Sequence, residues 1–159
     1  MSFLRFLMLL SLVVWVGGLI FFPVVAATAF SVLPTTHLAG QLVRRSLLIL
    51  HGMGMASGVV FLASSMLYHR LSSGRGHVFA AVHLLVCGML ALTLVSQFGI
   101  IPRMDTLRAS VADIGSLPAD NPIHMQFDVL HVWSTRVEEG VLLLGLVATY
   151  LVARQWKAG

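Results

Sequence analysis

Charged residues are scarce in this 159-residue sequence. Only 10% of its residues are charged, whereas 58% are hydrophobic, and its mean hydropathy is +0.93. A soluble domain of this length leaves a large share of its surface in water and could not bury so much apolar surface. The composition therefore excludes an ordinary soluble domain and indicates a membrane protein.

Cysteine and the short motifs of soluble enzymes are also missing. The single cysteine, Cys87, can form no internal disulfide, so cysteine usage says nothing about the compartment. The sequence contains no phosphate-binding glycine loop, no CxxC pair, and no serine or cysteine nucleophile with a positioned base. We therefore expect a non-enzymatic protein.

The positive charge is dispersed rather than clustered. A net charge of +4 and a pI of about 10.2 could by themselves suggest nucleic-acid binding. The basic residues, however, stand singly or in pairs at the edges of apolar runs, as anchors at a membrane interface do. We expect the lipid bilayer as partner and no nucleic acid.

Three continuous apolar runs, 6–30, 46–68 and 78–101, predict membrane helices. Each is long enough to cross a hydrocarbon core of about 30 Å, and none alternates as barrel strands do. The first run imitates a secretory signal, but it is longer than a signal core of roughly 7 to 15 residues, so we expect it to be retained. The sequence predicts one domain over residues 1–159, an all-α, integral membrane four-helix bundle with spans at about 5–30, 46–69, 77–101 and 130–154.

Two further segments complete this predicted bundle. Residues 102–115 carry apolar side chains at helical spacing opposite charged ones, which indicates an amphipathic interfacial helix or an extension of the third helix, ended by Gly115. Asn121 and Pro122 form a typical helix start. A helix from there to Arg154 would be about 50 Å long, so its first turns stand outside the hydrocarbon core.

Small residues predict where the helices pack. Trp15 and Gly18 share one face of the first helix, and Gly54 and Gly58 form a GxxxG spacing in the second. Small side chains let helices approach closely in lipid. His51 falls on the same stripe as the two glycines, so we expect it to point into a helix contact.

The last helix carries a polar stripe toward the membrane interior. A carboxylate inside the core costs on the order of 2.5 to 3.5 kcal/mol unless it is paired, protonated or wet. Glu138 should therefore face the bundle, with His131 or His51 as its partner. The predicted polar intramembrane centre consists of His51, His131, Ser134, Thr135 and Glu138.

Metal binding is the alternative interpretation of this centre. His51, His131 and Glu138 could converge on a metal or a haem iron, although a hydrogen-bonded polar cluster without a cofactor is the simpler expectation. His83 and Cys87, four residues apart, could also share a ligand. A buried thiol beside a satisfied histidine is the simpler interpretation of that pair.

Three ordered blocks resemble the transmembrane protein 205-like family. They are WVGGLIFFP (15–23) with FSVLP (30–34), PRMDTLR (102–108) and FDVLHVWS (127–134). The resemblance implies a four-span membrane protein whose family has no established activity. Similar sequences continue H-x-x-S-x-x-x-N where this chain has Glu138, which leaves His131 and Ser134 as the family-like pair.

The resemblance favours a non-enzymatic membrane component or accessory subunit with a polar intramembrane centre, able to bind a small ligand. A fainter likeness to four-span haem and copper membrane proteins keeps a redox protein using His51 and His131 as an alternative, although Met8 stands where those carry a histidine. A proton-coupled or metal-ion transporter using Glu138 is the second alternative. We expect other membrane subunits or a homo-oligomer as partners, and both termini on one side, the cytoplasmic one.

Overall fold

The computed structural model describes residues 2–71, 76–111 and 113–156. These form five α-helices and, in the described residues, no strand, which confirms the predicted all-α class. A π-helical turn, Ser96–Ile100, joins the third helix to the fourth, and a short 3-10 turn, Ile114–Ser116, precedes the fifth. The helices are α1 (Ser2–Val32), α2 (Thr36–Leu71), α3 (Gly76–Val95), α4 (Ile101–Ala109) and α5 (Pro122–Trp156).

Within the described part of the chain, three helices are long and apolar enough to cross a membrane: α1, α2 and the continuous helix from Ala81 to Ala109. Their outward faces carry large apolar side chains, such as Phe21 at 62% and Leu84 at 75% exposure. Such surfaces are stable in lipid and unfavourable in water. The molecule is therefore a membrane helical bundle. The helix α5 is not among the three, since its sequence is interrupted by charged residues around Glu138.

The indole of Trp15 lies between α1 and α2 and is almost fully buried, at 2% exposure. A Cβ atom added to Gly54 would lie 2.7 Å from indole Cε2, and one added to Gly58 would lie 2.9 Å from Cζ3. Real Cβ atoms essentially never approach other atoms so closely. Both glycines are therefore needed for the α2 backbone to pack directly on this ring, and Gly18 has an equally close neighbour in Leu50.

The helix α2 begins well before its apolar run. The hydroxyl of Thr35 accepts a hydrogen bond from the backbone N–H of Leu38, which caps the helix start at Thr36. Arg44 and Arg45 consequently lie within the helix. The second helix therefore begins ten residues before its apolar run at 46–68, because a capped helix can extend beyond the apolar core.

The turn at Ser96–Ile100 has a local cause. In it, the backbone N–H of Ile101 donates to the carbonyl of Ser96, five residues earlier. Pro102 follows at once, and a proline in a regular helix lacks an N–H and clashes with the carbonyl four residues before it. The wider π turn accommodates the proline without breaking the rod.

The amphipathic segment predicted at 102–115 continues the third helix. Its helical part, α4, follows the π turn directly and ends at Ala109. Gly115 does not end this helix; it belongs to the following 3-10 turn, where its N–H donates to Asp113 Oδ1. Of the two predicted interpretations of this segment, the extension of the third helix is the one that the structure contains.

The glycine contact gives a stability test with an internal control. We expect Gly54→Ala to lower the melting temperature in detergent, because the added methyl group overlaps the Trp15 ring and overpacking costs about 1 to 3 kcal/mol. Gly52→Ala is the control, since its Cβ would meet nothing within 4 Å. That substitution should be neutral or stabilising by up to about 1 kcal/mol. Equal melting temperatures for the two variants would contradict the packing.

Candidate intramembrane polar site

A hydrogen-bonded triad joins three parts of the bundle. His51 of α2 is buried at 2% exposure, and its Nε2–H donates to Glu138 Oε1 of α5 at 2.7 Å. Its Nδ1 lies 2.8 Å from the side-chain oxygen of Gln97. Each ring nitrogen therefore has an oxygen acceptor within hydrogen-bond distance, so the site suits a ring that carries a proton on both nitrogens.

Gln97 belongs to this site although it was not among the predicted residues; it is an amide within a long apolar run. The residue lies in the π turn, which shifts the helical phase of the residues around it. Such turns occur frequently at functional sites. The polarity of Gln97 was the available signal, but regular helical spacing does not show that its side chain reaches His51.

A cavity of about 950 Å³ opens beside the triad, between α1, α2, α4 and α5. The side chain of Glu138 lines it and is 14% exposed, yet its second oxygen, Oε2, accepts no hydrogen bond from the described residues. Ser134 also lines the cavity and is 6% exposed. The α5 part of the lining therefore contributes a hydroxyl and a carboxyl group to a cavity that is otherwise largely apolar on α1.

The structure brings together only part of the predicted centre. His131 lines the cavity but stacks on Phe127, with ring centroids 6.4 Å apart, rather than contacting Glu138. The Thr135 hydroxyl donates to the His131 carbonyl at 3.1 Å and also lines the cavity. His51 lies behind Glu138. The partner of Glu138 is thus His51, and His131 occupies a separate part of the wall.

Metal-ligand geometry is not assembled in the described residues. Among residues 2–71, 76–111 and 113–156, no three His, Cys, Asp or Glu side chains are grouped closely enough to hold an ion. His83 lies near the ring of His69, at a centroid distance of 5.9 Å, outside the triad and the cavity lining. The expectation of a buried thiol at Cys87 is wrong, because this side chain is exposed.

An ion pair fixes α2 to α4 beside the cavity. The guanidinium of Arg44 donates through Nε and Nη2 to the two carboxylate oxygens of Asp105. Arg108 Nη1 lies 3.6 Å from the same carboxylate, and its guanidinium stacks over the Phe127 ring at 4.9 Å. A bidentate arginine pair holds a defined orientation. The α4 wall of the cavity is therefore held in place from α2 and α5.

Comparison with known families identifies most of this bundle. Residues 10–112 match the family model described as a domain of unknown function, DUF4149. No curated protein and no solved structure matches the chain. The matched range contains His51 and Gln97, whereas Glu138 lies beyond it in α5.

A double-mutant cycle tests the triad. Replacing His51 alone by Leu leaves the Glu138 carboxylate buried without its partner, and we expect a loss of about 3 to 5 kcal/mol in unfolding free energy. The double variant His51→Leu with Glu138→Leu should recover most of that loss, because it removes both polar groups. Additive losses in the cycle, measured by unfolding in micelles, would contradict the pairing. His131→Leu is the control and should change stability little.

Proposed function

The chain belongs to the DUF4149 family, a domain of unknown function, and on that premise we propose that it is a non-enzymatic membrane protein that holds a small ligand inside its bundle. The cavity carries this proposal. Ligand pockets are typically about 300 to 1,000 Å³ and combine apolar walls with a few polar groups. This cavity, at about 950 Å³, has the apolar side chains of Leu19, Phe22 and Phe30 on α1 and the polar side chains of Ser134 and Glu138 on α5.

We further propose that α5 is a fourth span and that both termini lie on the cytoplasmic side. The support is that α5 packs against both α1 and α3. Its second half carries outward apolar side chains, such as Leu143 at 64% exposure. Its buried carboxylate at Glu138 is paired, which lowers the cost of a charge in the membrane. The ordered sequence blocks support a relationship with transmembrane protein 205-like proteins.

A redox centre, a transporter and an accessory subunit are the alternative functions, and the observed contacts support them less directly. A haem or copper centre through His51 and His131 would require a ring nitrogen of His51 to give up its bond to Gln97 or Glu138. An absorption spectrum with metal analysis of the purified protein tests that alternative. A transporter using Glu138 would also move its substrate across the membrane. Comparing the flux through the protein and through Glu138→Gln in proteoliposomes tests that alternative. An accessory role predicts comigration with other subunits on blue-native gels.

Native mass spectrometry tests the ligand-holding role. Protein released from nanodiscs should retain a small molecule, and Ala26→Trp should lose it, because Ala26 lines the cavity and a larger side chain fills it. Ala63→Trp is the matched control, since Ala63 is exposed on α2 and is not part of the cavity lining. A bare protein, or equal retention by both variants, would contradict the proposal.

Terminal labelling tests the fourth span. In a Cys87→Ser background, a cysteine added at either terminus should react with a membrane-impermeant maleimide from the same side of sealed vesicles. Three spans would put the termini on opposite sides, because each crossing reverses the chain. Labelling from opposite sides would therefore show that α5 does not cross.

A further inference from the structure

The acidic residues of this chain are concentrated around one cavity. The whole sequence has six acidic residues, and all of them except Asp120 line the cavity. Three arginines line it as well, so its lining carries two more negative than positive formal charges, although the chain as a whole is at +4. The acidic residues of the lining are Asp105, Asp113, Asp128, Glu138 and Glu139.

The arginines do not neutralise the carboxylates of α5. Arg44 and Arg108 are both engaged with Asp105 on α4, and Arg45 forms no ion pair with an α5 carboxylate in the described residues. Glu138 meets His51 through one oxygen only, and its buried Oε2 has no partner within the described residues. Glu139, the next residue, forms no ion pair in the part of the chain that is described. Within the described residues, the Glu139 carboxylate is therefore a negative group of the cavity lining without an ion-pair partner.

The part of the lining that α1 contributes is suited to an apolar body. Leu19, Phe22 and Phe30 of α1 line the cavity. Apolar and aromatic side chains pack on a hydrocarbon ligand, and aromatic faces attract cations. A bare metal ion would leave this wall unused, and an anion would meet excess negative charge.

We propose that the cavity binds a lipophilic organic cation, an amine or onium ion with an apolar body. The cationic head lies against the carboxylate of Glu139, beside the side chain of Glu138, and the apolar body packs against α1. This inference rests on the proposed ligand-holding function and adds the charge and the polarity of the ligand.

Two probe ions of similar shape and opposite charge test the inference. The protein in nanodiscs is titrated with tetraphenylphosphonium and with tetraphenylborate, and binding to empty nanodiscs is subtracted. We expect the cation to bind at least about tenfold more tightly than the anion, because one charge interaction of modest strength is enough to change an affinity tenfold. Equal affinities, or tighter binding of the anion, would overturn the inference.

Matched charge variants locate the effect. Glu138→Gln and Glu139→Gln should each weaken binding of tetraphenylphosphonium by about tenfold. Glu139 forms no ion pair within the described residues, so its variant remains informative if Glu138→Gln disturbs folding through His51. Asp120→Asn removes the same charge away from the cavity and should leave affinity unchanged. If Asp120→Asn and Glu139→Gln lost the same affinity for tetraphenylphosphonium, the net charge of the protein alone would explain the effect. That result would overturn the inference.

The outcomes separate this inference from the function on which it rests. Binding of both ions equally, abolished by Ala26→Trp, would overturn the preference for cations and leave the ligand-holding function standing. If the protein bound neither ion but retained a small molecule in native mass spectrometry, the preference for cations would likewise be overturned and the ligand-holding function would stand. Binding of neither ion by a protein that retains nothing would overturn both.

Discussion

The hydrogen bond between His51 and Glu138 is the interaction on which the rest of this structure depends. A carboxylate in a helical bundle is stable only when a partner compensates for the water it has lost. His51 provides that partner at 2.7 Å, and Gln97 holds the other side of its ring. The bond ties the charged turn of α5 to α2. It also leaves the second oxygen of the carboxylate buried, without a hydrogen-bond partner among the described residues.

The packing around the triad sets the position of His51. Gly54 and Gly58 let α2 rest on Trp15, so the α2 backbone is fixed against α1 close to the histidine. The π turn before Pro102 gives Gln97 its position on the opposite side of the ring. Close packing and hydrogen bonding therefore support each other, and the cavity forms where α1, α2, α4 and α5 diverge.

The sequence predicted the helices because apolar runs and helix starts such as Asn121 and Pro122 are local signals. It also placed His51 and Glu138 on bundle-facing stripes, but it could not choose between His51 and His131 as the partner. That choice depends on how α2 and α5 are rotated against each other, which no local pattern specifies. Gln97 was missed because the π turn changes the helical phase. The pair of Arg44 and Asp105 was missed because it joins residues 61 positions apart.

Nitrogen-15 NMR of the histidine rings tests the central claim most directly, because it reports which ring nitrogens of His51 carry protons. The triad predicts a His51 ring protonated on both nitrogens, with both N–H groups protected from solvent exchange. Its signals should change in Glu138→Gln and stay the same in His131→Gln. A His51 ring with a rapidly exchanging N–H group that does not respond to Glu138→Gln would contradict the account.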